Sequence, residues 1–239
     1  MKKNTIGKFK YYSLGQIDSY NDQKIVMIYH GWGGSAEGCV DVADELFEAG
    51  YSVIVPEIMY HDTRQKLDHP FDRAVMQEYF WKTIIDSIEE FDEFVSAFGI
   101  DKEDIILVGS SMGGFIANGI FAREPKLHGL ANINGSGSFV LSEHLFRRMD
   151  NREPLSKEEE QVLKNYDPFE RTASSSPILL LHGDSDEIIP IEGQKNYYDY
   201  LTLVEKRTNV VFKVYKGVNH EFTEEMVEDL MEWLKNSGG

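Results

Sequence analysis

Apolar residues along the chain fall into two alternating patterns. Short unbroken runs, such as "KIVMIYH" (24–30), "YSVIVPE" (51–57), "DIILVGS" (104–110) and "PILLLHGD" (177–184), have the length and β-branched content of strands buried on both faces. "LHGLANING" (127–135) and "NVVFKVYKG" (209–217) read as two further strands. Between them apolar positions recur every three or four residues. Trp81, Ile84, Ile88, Phe91, Val95 and Phe98 predict one long helix that ends at Gly99. Other helices are expected from Ser35, as N-cap, to Gly50, over 112–122, over about 192–204, and from Thr223 onward. In the last of these, Met226, Val227, Leu230, Trp233 and Leu234 form the apolar face. Strict alternation of strand and helix predicts an α/β fold: a mostly parallel sheet covered on both faces, with ligands at the carboxyl ends of its strands.

Residues 138–176 break the alternation. They separate two strands yet hold about two helical segments, more than an ordinary connection needs. Leu141, Leu145, Phe146 and Met149 suggest one helix. "SKEE" (156–159) is a capping box for another, with Val162, Leu163 and Tyr166 on its apolar side. Such an insert is either a cap over a pocket that shapes substrate preference or a surface excursion packed on the core. The 239 residues are read as a single domain, 1–239, carrying this small helical cap.

Charge and cysteine content narrow the classes of function. The net charge of −17, from 41 acidic and 24 basic residues, repels phosphate backbones, so nucleic acid is not an expected partner. No stretch approaches the roughly 20 apolar residues that span a bilayer, and no membrane association is expected. Two lysines near the N-terminus have no apolar run behind them, unlike a secretory signal. Cys39 is the only cysteine, which excludes an internal disulfide and a multi-cysteine zinc site and suits the cytoplasm.

Candidate chemistry centres on "ILVGSSMGGF" (106–115), where two serines lie among glycines. The pattern G-x-S-x-G fits only Ser111, flanked by Gly109 and Gly113; Ser110 would have Val108 and Met112 in those places. Between a strand and a helix, this spacing serves a turn so sharp that neighbouring side chains would collide, with the serine hydroxyl exposed at its apex. A serine needs a base, and the base needs an orienting acid. His220, after the last strand, and Asp184 or Asp186, after the preceding one, lie at strand ends where they can meet Ser111. His182 reads as a structural imidazole bonded to backbone.

The motifs "YHGWGGS", "GSSMGG", "HGDSDEIIP" and "NHEF", spread over residues 29 to 222, resemble the α/β-hydrolase superfamily. In particular they are similar to small bacterial carboxylesterases related to prolyl oligopeptidase and dienelactone hydrolase. "VPEIMYHDTR" and "YFWKTIIDSIEEF" resemble one bacterial esterase branch. The resemblance implies an α/β-hydrolase fold and a serine hydrolase that cleaves small-molecule carboxylic esters without a cofactor. It implies Ser111 as nucleophile, His220 as base then acid, and Asp186 as the orienting carboxylate, four residues after His182. It implies an oxyanion hole at the backbone N–H groups of Trp32 and Met112. Trp32 either lines the acyl pocket or packs in the core.

One departure is that many relatives carry His-Gly where this chain has His61-Asp62. That loop, "YHDTRQKLDHPFD", holds metal-ligand types, but a complete serine triad needs no metal; His61 is expected near the pocket mouth. Other readings are a thioesterase, a lactone or small-peptide hydrolase, or a slow-turnover sensor on the same fold.

Overall fold

The computed structural model describes residues 1–17, 23–171 and 174–237. Eight strands form one sheet: β1 (Lys2–Ile6), β2 (Phe9–Leu14), β3 (Ile25–Tyr29), β4 (Ser52–Pro56), β5 (Ile105–Ser110), β6 (Gly129–Ile133), β7 (Ile178–Gly183) and β8 (Val210–Tyr215). Their spatial order is β1-β2-β4-β3-β5-β6-β7-β8. From β4 to β8 every pairing is parallel, whereas β1 and β2 pair antiparallel with each other and β2 antiparallel with β4. The expected mostly parallel sheet is therefore present, extended by an edge hairpin.

Every residue of β3, β4 and β6 is buried, because helices cover both faces of the sheet. On one face α2 (Arg73–Phe98) and α3 (Met112–Phe121) pack Ile84, Ile88, Phe91 and Phe115 against Met27, Leu107 and Leu130. On the other, α1 (Val40–Glu48) and the last helix, Glu224–Ser237, pack Leu46, Met226, Leu230 and Trp233 against Val26, Val108 and Leu179. Alternate residues of one strand serve opposite clusters, as the two-residue period of a strand requires. Helix α2 ends where Gly99 takes left-handed angles, φ 66°.

Several local readings change. Ser35 does not cap an α-helix: its Oγ accepts the Gly38 N–H (3.1 Å) and closes a 3₁₀ turn, Glu37–Cys39, before α1 starts at Val40. The segment 138–176 does contain two helices, α4 (Phe139–Met149) and α5 (Lys157–Tyr166), and Ser156 and Glu159 form the expected capping box. Met149 and Val162, however, are half exposed at 50% each, so neither belongs to a buried face. Phe139 instead anchors α4, fully buried with its ring centre 5.6 Å from Phe115 and 5.3 Å from Trp81. The Asp167 carboxylate accepts the Phe139 and Val140 N–H groups (2.9 Å each) at the start of α4. Helix α6 (Glu192–Asp199) runs on as a π-helical turn, Tyr200–Val204, and α7 is Glu224–Ser237.

Candidate active site

The ends of β3, β5, β7 and β8 bring four loops together. At the first centre of interest, β5 stops at Ser110 and α3 starts at Met112, leaving Ser111 alone in the turn at φ 56°, ψ −122°. L-residues rarely hold such angles, which cost on the order of 1–3 kcal/mol. Packing enforces them. A Cβ at Gly109 would overlap the Gly113 carbonyl, and one at Gly113 would overlap the Tyr29 carbonyl. Only glycines therefore let strand, turn and helix approach this closely. The Ser111 N–H donates to Ile133 O (2.8 Å), fastening the turn to β6.

Ser111, His220 and Asp186 meet in a continuous chain. His220 Nε2 lies 2.7 Å from Ser111 Oγ, and His220 Nδ1 lies 2.7 Å from Asp186 Oδ2. Asp186 Oδ1 accepts the Ile188 and Ile189 N–H groups at 2.9 and 2.8 Å. Burial alone would push the Asp186 carboxyl upward. Hydrogen bonds from His182, His220 and the Ile189 N–H outweigh it and hold the group well below the usual carboxylate range. An ionised carboxylate can only accept, so His220 Nδ1 is the donor, and Nε2 presents its lone pair to the serine O–H.

Asp184 lies elsewhere: exposed, it accepts the Gly217 N–H (2.7 Å) and the Ser185 hydroxyl (2.9 Å), closing a turn. His182 is wholly buried and bonds backbone as expected, Nε2 to Ile189 O at 2.9 Å. The same nitrogen also lies 3.3 Å from Asp186 Oδ2, so His182 flanks the carboxylate as well as the backbone. Unforeseen was Asn219, whose Oδ1 accepts the Glu187 N–H (3.0 Å) and the His220 N–H (2.8 Å), tying the two loops together. The only signal for it was an asparagine directly before the histidine, in a turn.

The Met112 N–H opens α3 and Trp32 follows Gly31 in the loop after β3. Among the described residues no acceptor receives either group. Gly31 lies against the serine: a Cβ there would sit 3.2 Å from Ser111 Cβ and 3.6 Å from its Oγ. The Trp32 indole donates to Pro70 O (2.8 Å) and packs edge-on to His61, centroids 5.0 Å apart. His61 is not at a pocket mouth. It is 3% exposed beneath the loop, where its Nε2 accepts the Gly33 N–H (3.0 Å). Among the described residues no three His, Cys, Asp or Glu side chains are grouped to hold a metal ion.

Between the loop after β3 and α1 lies a cavity of about 250 Å³, lined by Ile28, Gly31, Cys39, Val42, Val108, Ser110 and Phe222; Ser111, His220 and Asp186 do not line it. Ser110 thus borders this space, whereas Ser111 holds the imidazole.

Fold and site geometry together define a protein of the α/β-hydrolase class. The model of the dienelactone hydrolase family matches residues 13–232, and the chain belongs to that family. It is 28% identical over 228 residues to the esterase YjfP of Escherichia coli K12, with 91% of this chain and 89% of that protein covered. It is 22% identical over 232 residues to an acyl-protein thioesterase 1 of Yarrowia lipolytica, covering 89% and 91%. Among solved structures, TT1662 from Thermus thermophilus superposes with a TM-score of 0.72 at 17% identity, covering 99% of this chain and 96% of that one. The protein is an enzyme, a hydrolase of the carboxylesterase type. Among the described residues no helix is long and apolar enough to cross a membrane.

Proposed function

We propose that the enzyme hydrolyses carboxylic esters of small, uncharged molecules through an acyl-enzyme on Ser111. The observation that carries this reading is the hydrogen-bonded chain Ser111–His220–Asp186, with both links at 2.7 Å. Ser111 Oγ attacks the ester carbonyl as its proton passes to His220 Nε2. The Trp32 and Met112 N–H groups receive the negative oxygen, and Asp186 stabilises the cationic imidazole. Collapse of the adduct breaks the bond to the alcohol oxygen, which takes the proton from His220 and leaves. Water then attacks the acyl-enzyme, giving its proton to His220, and the carboxylic acid departs as Ser111 regains its hydrogen. No step needs a cofactor.

An uncharged substrate suits the surroundings. The net charge of −17 opposes anions. Residues 138–176 act as a cap within a single domain: Phe146 packs on Phe80 (5.8 Å), which packs on Trp32 (6.0 Å). The free thiol of Cys39 fits a reducing cytoplasm. A thioester would react by the same steps, and the similarity to an acyl-protein thioesterase makes this the second reading.

Steady-state kinetics on p-nitrophenyl esters of increasing acyl length, beside an acyl thioester, tests the proposal. Fast turnover of short esters is expected, with kcat reduced by about 10⁶-fold in Ser111→Ala, the loss known for a serine protease nucleophile. Negligible turnover of every ester would favour the sensor reading, and preference for the thioester the second one.

A further inference from the structure

We infer that His61 and Asp62, adjacent in the loop after β4, are positioning residues that aim the Trp32 N–H at the Ser111 oxyanion by fixing residues 30–36 from beneath. The inference rests on the oxyanion role proposed for Trp32. Trp32 itself is held by no backbone hydrogen bond among the described residues, so its direction is set by its neighbours. The peptide that contains the Trp32 N–H also contains the Gly31 carbonyl, and in a trans peptide the two point opposite ways. Gly31 O accepts the Gly34 N–H (3.1 Å) and lies 2.9 Å from His30 Nδ1. Fixing that carbonyl therefore fixes the N–H.

The bond that fixes the Gly31 carbonyl is that from the Gly34 N–H, and the His30 ring beside it is held from below, its Nε2–H donating to Asp62 Oδ2 (3.0 Å). Asp62 Oδ1 accepts the Ala36 N–H (2.8 Å), and Oδ2 also faces the Ile58 N–H (3.3 Å). Between these two anchor points, His61 Nε2 accepts the Gly33 N–H (3.0 Å), while its Nδ1–H donates to Met59 O (3.1 Å). Two consecutive side chains thus grip the loop at His30, Gly33 and Ala36, on both sides of Trp32. Asp62 does so at φ 52°, a left-handed conformation that glycine adopts more easily. The carboxylate is present in spite of its backbone.

His61 can accept from Gly33 only while neutral. Burial lowers its pKa, the nearby His30 and Lys66 act in the same direction, and Met59 O and Asp62 oppose them. Nε2 therefore stays a lone pair to lower pH than in an ordinary imidazole. Once it is protonated, two N–H groups face each other and the grip on Gly33 fails.

The test uses Asp62→Gly, which fits the left-handed backbone while deleting the carboxylate, and His61→Gln, whose side-chain oxygen can still accept from Gly33. With p-nitrophenyl acetate, Asp62→Gly should lose roughly 10- to 100-fold in kcat with KM nearly unchanged. That is less than the 10²–10³ of deleting an oxyanion donor outright. Over the acid range where circular dichroism shows the wild type folded, kcat/KM should fall more steeply with acid in the wild type than in His61→Gln, since protonation of His61 removes the acceptor for the Gly33 N–H. His61→Gln should remain active at neutral pH. Unchanged kcat in Asp62→Gly, or the same slope in wild type and His61→Gln, would overturn the inference. A folded wild type in which a fluorophosphonate does not label Ser111 would instead overturn the serine mechanism itself.

Discussion

Asp186 and His220 are joined by a 2.7 Å hydrogen bond between Oδ2 and Nδ1, while Asp184, only two residues earlier, faces the Gly217 N–H on the outside of the turn. Both aspartates follow the same strand, so the turn 184–189 decides which one reaches the imidazole. Replacing the acid by Asn should leave the wrong tautomer on His220. Asp186→Asn is expected to lose about 10⁴-fold in kcat, by analogy with the serine-protease aspartate. Asp184→Asn should keep kcat and cost stability, as loss of a turn bond does. Kinetics and unfolding of both variants separate the two; activity lost in Asp184→Asn and kept in folded Asp186→Asn would exchange the roles.

The depressed pKa of Asp186 also sets a pH dependence. Its proton affinity is lower folded than unfolded, so its contribution to stability is whole above the ordinary carboxylate value near 4 and is lost as pH falls from there toward the depressed value. Denaturant titrations between pH 7 and pH 3 should show wild type losing stability more steeply with acid than Asp186→Asn. Parallel profiles would show that this carboxylate is not held ionised.

Cys39 lines the cavity but is a poor thiolate. Burial, with the Asp62 charge nearby, pushes its pKa up to about 12. Iodoacetamide at pH 8 should alkylate it far more slowly than free cysteine, and activity should survive the treatment. Rapid alkylation with loss of activity would mean an open, anionic thiol.

Phe146 tests the cap. It is half-buried against Phe80 and Phe115 at centroid distances of 5.8 and 6.3 Å, whereas Phe139, which anchors the same helix and also packs on Phe115, is fully buried. Phe146→Ala should shift the preferred acyl length more than it shifts Tm, whereas Phe139→Ala should cost about 3–5 kcal/mol of stability. Collapse of stability in Phe146→Ala with preference unaltered would make the segment ordinary core.

Much of the frame was legible because burial on both faces writes strands as unbroken apolar runs, as in β3, β5 and β7. The serine turn was legible for a steric reason, since Gly109 and Gly113 admit no side chain. The N-terminal hairpin was not. "KKNTI" and "FKYYSL" pair at the sheet edge with charged residues facing water, a pattern shared with loops. Met149 and Val162 kept helical spacing yet face solvent, because periodicity marks a stripe without saying whether another element covers it. The work of His61, Asp62 and Asn219 was invisible for another reason. Each acts on backbone N–H groups, and those are the same in every sequence.

The most direct measurement of the serine mechanism is covalent labelling with a fluorophosphonate, with the modified peptide located by mass spectrometry. Ser111 is bonded to His220 Nε2, and Ser110, its neighbour, borders the cavity instead. Wild type and Ser110→Ala should be labelled at residue 111, and Ser111→Ala should not react. Labelling that persists in Ser111→Ala, or that maps to Ser110 in the wild type, would contradict the assignment of Ser111 as nucleophile.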